Sequence, residues 1–580
     1  MQRMKKKNYP LYETTVFADF KIMTENVAKK YPDRVAISYK NAPSDKETQT
    51  ITYTQARDEM RALGEALIDL GVTDKMVLLS GKNSWEWIYM YISLMSVGAI
   101  TVPVDKDLPV HETVAIAKRA GCTFVSYGTE IQEKAETLRA ELPEGTVFFS
   151  MGKGEKEGDL SVNALIEKGK ELLAQGSTKY DDYKIDPDRM ASIVFTSGTT
   201  GKGKGVMLSQ TNICSDMTQG MYNFDITDKT VMVLPAHHTF GSTCNIIGHF
   251  SQGSEIYISN GVKYFVREMQ EQQPTHMMLV PLFLETLYKK IWQTAEKQGK
   301  DKLMRTMMKV SNFLLKFGID LRRKLFASVH NMLGGKLELV ICGGAALNQN
   351  IIDTFQSLGI NILNGYGITE CAPLISCNRN LYQKSGSVGM PIIGGKVKIL
   401  DPDENGEGEI CYKGPNVMLG YFDDEEATRE VFDDEGYFRT GDYGRVEGDE
   451  QWIYIIGRKK NMILFSNGKN VYPEEIEADL CTDIYGIGEV VVYAGISDAQ
   501  PEKEVIVAEI FPDAEALAMR GITNYQEYFN EQVKAVNDRL ISYKRIGIVK
   551  IREVEFEKNT SRKIQRFKID RHIWGRCISA

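Results

Sequence analysis

Histidine is scarce: seven in 580 residues, and His237, His238 and His249 have no cysteine or carboxylate at zinc-binding spacing. That excludes a zinc centre built on them. Nine cysteines are scattered without a C-x-x-C pair, an odd number in a long chain, which points to free thiols in a reducing compartment. No apolar run reaches the roughly 20 residues of a membrane span. The most apolar stretch, WIYMYISLMSVGAITVPV (Trp87 to Val104), is broken by Gly98 and Pro103 and reads as a buried helix running into a buried strand. The opening MQRMKKKNYPLYETT has lysines but no apolar core after them, so no secretory signal is expected and the chain reads as cytoplasmic. There is no basic excess either. A net charge of -8 and a pI near 5.7 argue against a nucleic-acid binder working by charge.

What remains is an ordinary globular composition on a chain too long for a single core. Strand–turn–helix units recur, as in DKMVLLSGKNSWEWIYMYISLMSVGAITVPV and KLELVICGGAALNQNIIDTFQSLGINILNGYG. Such alternation predicts a parallel sheet covered by helices, with ligands beyond the strands' carboxyl ends. Residues 285–330 read as a helical, basic, Met-rich insertion. From 386 the pattern changes to short strands and Gly/Asp turns, and after Arg458 to Asn461 a last segment of about 120 residues is sized as a small α+β domain. The expected architecture is therefore α/β: a large N-terminal domain, 1–457, of layered sheets and helices, and a C-terminal α+β cap domain, 458–580.

After the apolar run ASIVF comes TSGTTGKGKG, Thr196 to Gly205. Gly198 to Lys204 fits a Walker A loop until its last position, where Gly205 replaces the hydroxyl and opposes a helix start. The expected helix cap is Ser209, four residues later. A second possibility is a loop whose backbone N–H groups and threonines wrap a polyphosphate, its glycines permitting close approach.

That loop resembles the [ST]-S-G-[ST]-T-G-x-P-K-G loop of the adenylate-forming superfamily, with Gly203 where proline is usual. Other motifs follow in the superfamily's order. LPAHHTFG (Leu234 to Gly241) resembles its L-P-x-x-H-x-x-G segment, and CGGAAL its adenine turn, with Ala346 in place of proline. YGITE (Tyr366 to Glu370) matches Y-G-x-T-E, YFRTGDYG supplies T-G-D, and GRKKNMILFSNGKNVYPEEIE matches the hinge and thiolation segment. NTSRKIQRFKI resembles the terminal lysine motif, with Arg562 where glycine is usual. If that position needs a left-handed backbone, arginine costs roughly 1 kcal/mol or more.

The resemblance implies ATP, Mg²⁺ and coenzyme A as cofactors and assigns roles. Thr196, Ser197, Gly198, Thr199, Thr200, Gly201 and Lys204 would hold the β- and γ-phosphates of ATP. Glu370 would bind Mg²⁺, with a hydroxyl ligand from Thr196, and Thr369 would bond the α-phosphate. Tyr366 would stack on adenine, with Gly344 and Ala345 as the other wall and Asn364, Gly365 and Gly367 in the same nucleotide-binding set. Asp442 would accept the ribose hydroxyls and Arg458 would add a donor. His238 takes the motif histidine's place. Lys563 would bridge carboxylate and α-phosphate, Lys460 would be the hinge on which the cap domain rotates between steps, and Gly468 would line the pantetheine channel.

The implied chemistry makes an acyl-AMP and passes the acyl group to a thiol. HHTFGSTCN offers no aspartate to pair a substrate amine, so an uncharged acyl tail is expected. The insertion and the hinge wording look most like long-chain fatty-acyl-CoA ligases. An acyl carrier protein as acceptor, another acid as substrate, a luciferase-like oxygenase and a non-catalytic nucleotide- or acyl-binding relative stay open. MRTMMKVSNFLLKFGIDLRRKLF (Met304 to Phe326) mixes apolar and basic residues at helical spacing. That suits either peripheral contact with an anionic membrane or a helix packed on the domain.

Overall fold

Trp85 to Ser96 form a helix capped by Ser84, which leads through Gly98, in the left-handed region, into the strand Ile100–Pro103, as the apolar run predicted. That strand lies inside an eight-stranded sheet with the order Gly420–Tyr421, Lys204–Ser209, Met190–Thr196, Ile100–Pro103, Met76–Ser80, Phe124–Gly128, Val147–Met151, Leu160–Ser161. From Met190–Thr196 to the far edge the strands run parallel, while the first two pair antiparallel. The computed structural model describes residues 11–152, 158–196, 203–465, 470–497, 500–558 and 564–573.

A second sheet repeats the logic. His276–Leu279, Leu339–Cys342 and Asn361–Gly367 are parallel, and Leu374–Cys377 and Met390–Pro391 continue antiparallel. CGGAAL turns at the carboxyl end of Leu339–Cys342, whereas Asn364 to Gly367 of NGYGITE are the last residues of the adjacent strand and only Ile368 to Glu370 follow it. The short strands after 386 form a four-stranded antiparallel sheet, Lys396–Leu400, Gly408–Lys413, Phe438–Glu447 and Trp452–Arg458.

Residues 285–330 are helical, but the first helix, Pro281–Lys297, starts before the expected insertion and buries Leu284, Leu287, Ile291 and Trp292 in the core. It belongs to the domain rather than to an appendage. The helices Asp301–Leu315, Arg322–Leu325 and Ala327–Met332 follow.

Beyond Arg458 the chain makes a smaller unit with a core of its own. Val490, Val492, Ile506, Ile510, Leu480 and Phe529 pack together from a four-stranded sheet and the helices Pro473–Asp483 and Tyr525–Asn537. Among the described residues no buried apolar cluster spans both lobes. Contacts between them include a Tyr443–Tyr472 stack with centroids 4.5 Å apart. Polar pairs add to it: Lys289–Asp513 at 2.9 Å, Asn348–Thr482 at 2.9 Å and Arg520–Glu296 at 4.0 Å.

Candidate active site

The strand Met190–Thr196 turns back into Lys204–Ser209, and Thr196 pairs with Lys204 across the base of the glycine loop. The Thr196 hydroxyl donates to the Lys204 carbonyl at 3.3 Å. A strand, not a helix, follows the loop, and the helix Gln210–Met221 begins at Ser209, whose side chain and that of Asn212 form a reciprocal capping box. Walker A geometry is therefore absent. Ser197, Gly198, Thr199, Thr200 and Gly201, together with Gly468, Arg562 and Lys563, lie outside the described residues.

Long-range pairing completes this corner. Gly420–Tyr421 adds to the edge of Lys204–Ser209, which sets Tyr421 opposite Val206. The Lys204 ammonium sits 4.6 Å over the Tyr421 ring, and the Tyr421 hydroxyl donates to Glu370 Oε1 at 3.0 Å. Burial and the Glu370 charge push the Tyr421 phenol up, so it stays protonated as a donor. The foot of the loop is thus joined to Glu370 through one aromatic ring.

A second group forms where the parallel sheet meets the antiparallel one. Asp442 and Arg458 are direct partners across two strands, and Arg458 Nε meets Asp442 Oδ1 at 2.8 Å. Tyr366 donates its hydroxyl to Asp442 Oδ2 at 2.6 Å. The Asp442 side chain is 4% exposed, so it is held by protein donors, Tyr366 and Arg458 among them, rather than by water. Burial first, then this carboxylate, raises the Tyr366 phenol well above its ordinary value. Both Asp442 oxygens are therefore engaged within the protein, and the Tyr366 ring is buried in the main core.

Lys204, Glu370, Tyr421, Thr440, Arg458 and Lys460 line one open cleft of about 770 Å³, with Glu409, Arg439 and Lys459 on its rim. Lys460, expected only as a hinge, faces this cleft. Burial and the neighbouring Arg458 lower its pKa, while Asp442, Glu370 and Glu474 oppose that. Lys459 pairs with Glu409 of the large domain at 2.8 Å. Gly344 and Ala345 are exposed at the end of Leu339–Cys342, and Gly344 has φ +87°, a conformation that requires glycine there. Gly367 is fixed by space instead: a Cβ would lie 2.0 Å from the Pro373 carbonyl oxygen. Asn364 is half-buried, its carbonyl accepting from the Asn378 amide at 3.0 Å, and Gly365 pairs with Cys377. Thr369 and Glu370 open a short 3₁₀ turn.

That turn is held from behind by residues the sequence did not mark. Asn416 donates to the carbonyls of Cys371 and Leu374 at 2.7 Å each and to Asp216 at 3.1 Å, and Asp216 accepts the Leu374 amide at 3.0 Å. Full burial raises the Asp216 carboxyl well above the usual range. His238 precedes a π-helical stretch, Phe240–Gly248, and its ring lies 4.3 Å from that of His237. His237 Nε2 is 3.5 Å from Asp105, and burial lowers its pKa against that carboxylate.

Among the described residues no cluster of three or more His, Cys, Asp or Glu could cage a metal ion. Glu370 still offers one carboxylate at the cleft, and Mg²⁺ is commonly held by one or two carboxylates plus substrate phosphate oxygens. The described donor set fits that mode.

Residues 24–422 match the family model described as AMP-binding enzyme. The chain is 29% identical to a probable acyl-activating enzyme 16, chloroplastic, of Arabidopsis thaliana, covering 77% of this chain and 71% of that protein. It is 28% identical to the long-chain-fatty-acid–CoA ligase 5 of Rattus norvegicus, with 80% and 71% covered. Against a long-chain-fatty-acid–[acyl-carrier-protein] ligase of Arabidopsis thaliana it is also 28% identical, with 78% and 71% covered. Among solved structures, the fold superposes on the anthranilate CoA ligase AuaEII in complex with anthranoyl-AMP with a TM-score of 0.75 at 20% identity, covering 97% and 98% of the two chains. The o-succinylbenzoate CoA synthetase of Bacillus subtilis with ATP and magnesium gives 0.69 at 20% identity, covering 94% and 98%.

Proposed function

The chain belongs to the family of AMP-binding enzymes, and on that premise we propose that it activates a long-chain fatty acid as acyl-AMP and transfers the acyl group to coenzyme A. The coarser reaction, acid–thiol ligation with AMP formation, is the family's. One observation above all supports a working site: Arg458, paired with the buried Asp442 that Tyr366 also holds, lines the same cleft as the Lys204–Tyr421–Glu370 group.

A carboxylate is a poor acyl donor because attack on it would expel an oxide ion. Attack of the carboxylate on the α-phosphorus of ATP forms a mixed anhydride and releases pyrophosphate; a thiol then takes the acyl carbon and AMP leaves. The first step brings two anions together, so fixed positive charge must face the forming bond. Lys204, Arg458 and Lys460 supply it in the described cleft, and we assign Lys563 the position between carboxylate and α-phosphate. Asp442, rigidly held, orients the ribose. Bound at Glu370, Mg²⁺ would neutralise phosphate charge. Rotation about Lys460 would exchange Lys563 for the Gly468 segment before the thiol arrives.

The long-chain and coenzyme A assignments draw support from the names of similar proteins and from the absence of an aspartate that would pair a substrate amine. Pyrophosphate release and thioester formation with straight-chain acids from butyrate to stearate, with and without coenzyme A, test them. The expected result is coenzyme A-dependent thioester favouring the longer acids, lost in Lys563→Ala. Pyrophosphate without coenzyme A thioester would move the acceptor to a carrier protein. No acid-dependent pyrophosphate would refute the assignment.

A further inference from the structure

The helix Asp301–Leu315 turns one arc inward. Met304 and Ser311 are buried and Met308 packs against the core. On the other side Leu303, Val310, Phe313 and Phe317 are 56%, 51%, 59% and 69% exposed. The spacings of seven and three residues put Leu303, Val310 and Phe313 on one stripe of a 3.6-residue helix, and Phe317 follows in the turn just past its end. The rings of Phe313 and Phe317 meet edge to face with centroids 5.2 Å apart, and Ile319 and Leu321 extend the apolar surface past the helix end. Single exposed apolar side chains need no explanation, but a contiguous stripe does.

The neighbouring basic residues divide in two. Arg305 lies 4.2 Å over the Trp292 ring, Arg322 donates to the Gln356 carbonyl and to Asp320, and Arg323 donates to the carbonyls of Gly335 and Leu337. These arginines hold the fold. Lys302, Lys309 and Lys316 recur every seven residues, stand exposed along one flank of the stripe, and have no carboxylate partner among the described residues. Asp301 is the helix's one acid. An apolar arc bordered by unpaired ammonium groups suits a helix lying in a bilayer interface, its lysines reaching back to the headgroups.

We propose that this face docks peripherally on an anionic lipid bilayer, with Phe313 and Phe317 at the acyl boundary and Lys302, Lys309 and Lys316 against headgroup phosphates. The lysine row selects this partner. A second copy docked face to face would bring the same lysines and no matching row of acids, and on a protein of net charge -8 this row of exposed lysines is a local patch that suits an anionic surface. The inference is independent of the ligase reading.

Sedimentation of the full-length protein with vesicles of phosphatidylcholine, alone or mixed with phosphatidylglycerol, tests it. Wild type should partition onto the mixed vesicles, and less so as salt rises. Phe313→Ser/Phe317→Ser should lower the partition coefficient at least about tenfold. Lys302→Glu/Lys309→Glu/Lys316→Glu should lower it roughly 100-fold or more, since each lysine near such a surface is worth about fivefold. Because all five side chains are exposed, both variants should keep the wild-type melting temperature. No wild-type binding to mixed vesicles, or equal binding by the folded variants, would overturn the proposal. So would light scattering showing a wild-type dimer that both variants dissolve, since the stripe would then belong to a second copy.

Discussion

Lowering the pH from 7.5 to 5 should destabilise the large domain through two stacked histidines, and His249→Gln should remove part of that loss. His249 and His276 are fully buried, with ring centroids 5.0 Å apart and planes 9° from parallel. His249 Nδ1 meets the Asn245 carbonyl at 2.7 Å, so the neutral ring donates there, and Nε2 of both rings has no partner. Burial pushes the His249 pKa down to about 4, and burial with the neighbouring His249 lowers His276 further below its ordinary value. The unfolded chain takes up protons near pH 6.5 while the folded chain refuses them until about 4. Stability is therefore fully present above 6.5 and falls as the pH drops through the window down to 4. Each histidine contributes at most about 1.4 kcal/mol per pH unit, so His249 alone accounts for about 2 kcal/mol between pH 6.5 and 5. Carboxyls such as the buried Asp216 and the half-buried Glu285, whose pKa values are raised by desolvation, gain stability over the same fall, which is why a bare pH profile is not diagnostic. Urea midpoints of wild type and His249→Gln at pH 7.5 and 5, followed by tryptophan fluorescence, cancel those terms. The gap between the two proteins should close by about 2 kcal/mol at the lower pH. Parallel curves would refute the reasoning.

A double-mutant cycle of Tyr366→Phe and Asp442→Asn, read as thermal stability and as ATP affinity by calorimetry, should give a coupling of about 1–2 kcal/mol, because the pair is buried and directly bonded. Additive effects would mean the bond is idle. Gly367→Ala should abolish pyrophosphate exchange and lower the melting temperature, because its Cβ meets the Pro373 carbonyl oxygen. Gly441→Ala has open space but φ +70°, so a loss of about 1 kcal/mol with activity retained is expected from unfolding and exchange assays. Tyr421→Phe frees Glu370 from its one hydroxyl donor among the described residues and should change the Mg²⁺ concentration giving half-maximal activity severalfold, measured by titrating the metal.

Elements built from neighbours in the chain were legible beforehand. Ser209 capping a helix, the helix-to-strand run from Trp85 to Pro103 and the glycine turn at the end of Leu339–Cys342 all follow from local pattern. The contents of the cleft were legible only in part. Asp442 and Arg458 carry motif signals, but their pairing depends on the register of two strands. Tyr421 reaches Glu370 because a two-residue strand adds to an edge more than two hundred residues upstream, and nothing in GYF announces that. Asp216 and Asn416 are likewise ordinary in sequence, and they matter because distant elements bury them behind the Glu370 turn. Lys460 was read for its backbone, whereas its side chain faces the cleft.

The meeting of the two lobes has a consequence for how such a protein would be handled at the bench. The contacts between them include an aromatic stack and several partly exposed polar pairs, with no shared buried apolar core among the described residues. Exposed ion pairs are individually weak and fade as salt screens them. Were the lobes to rotate as proposed, ionic strength would act as a dial on their orientation and buffer composition would become a kinetic variable. Two laboratories using different salt would then measure different turnover from the same intact cleft.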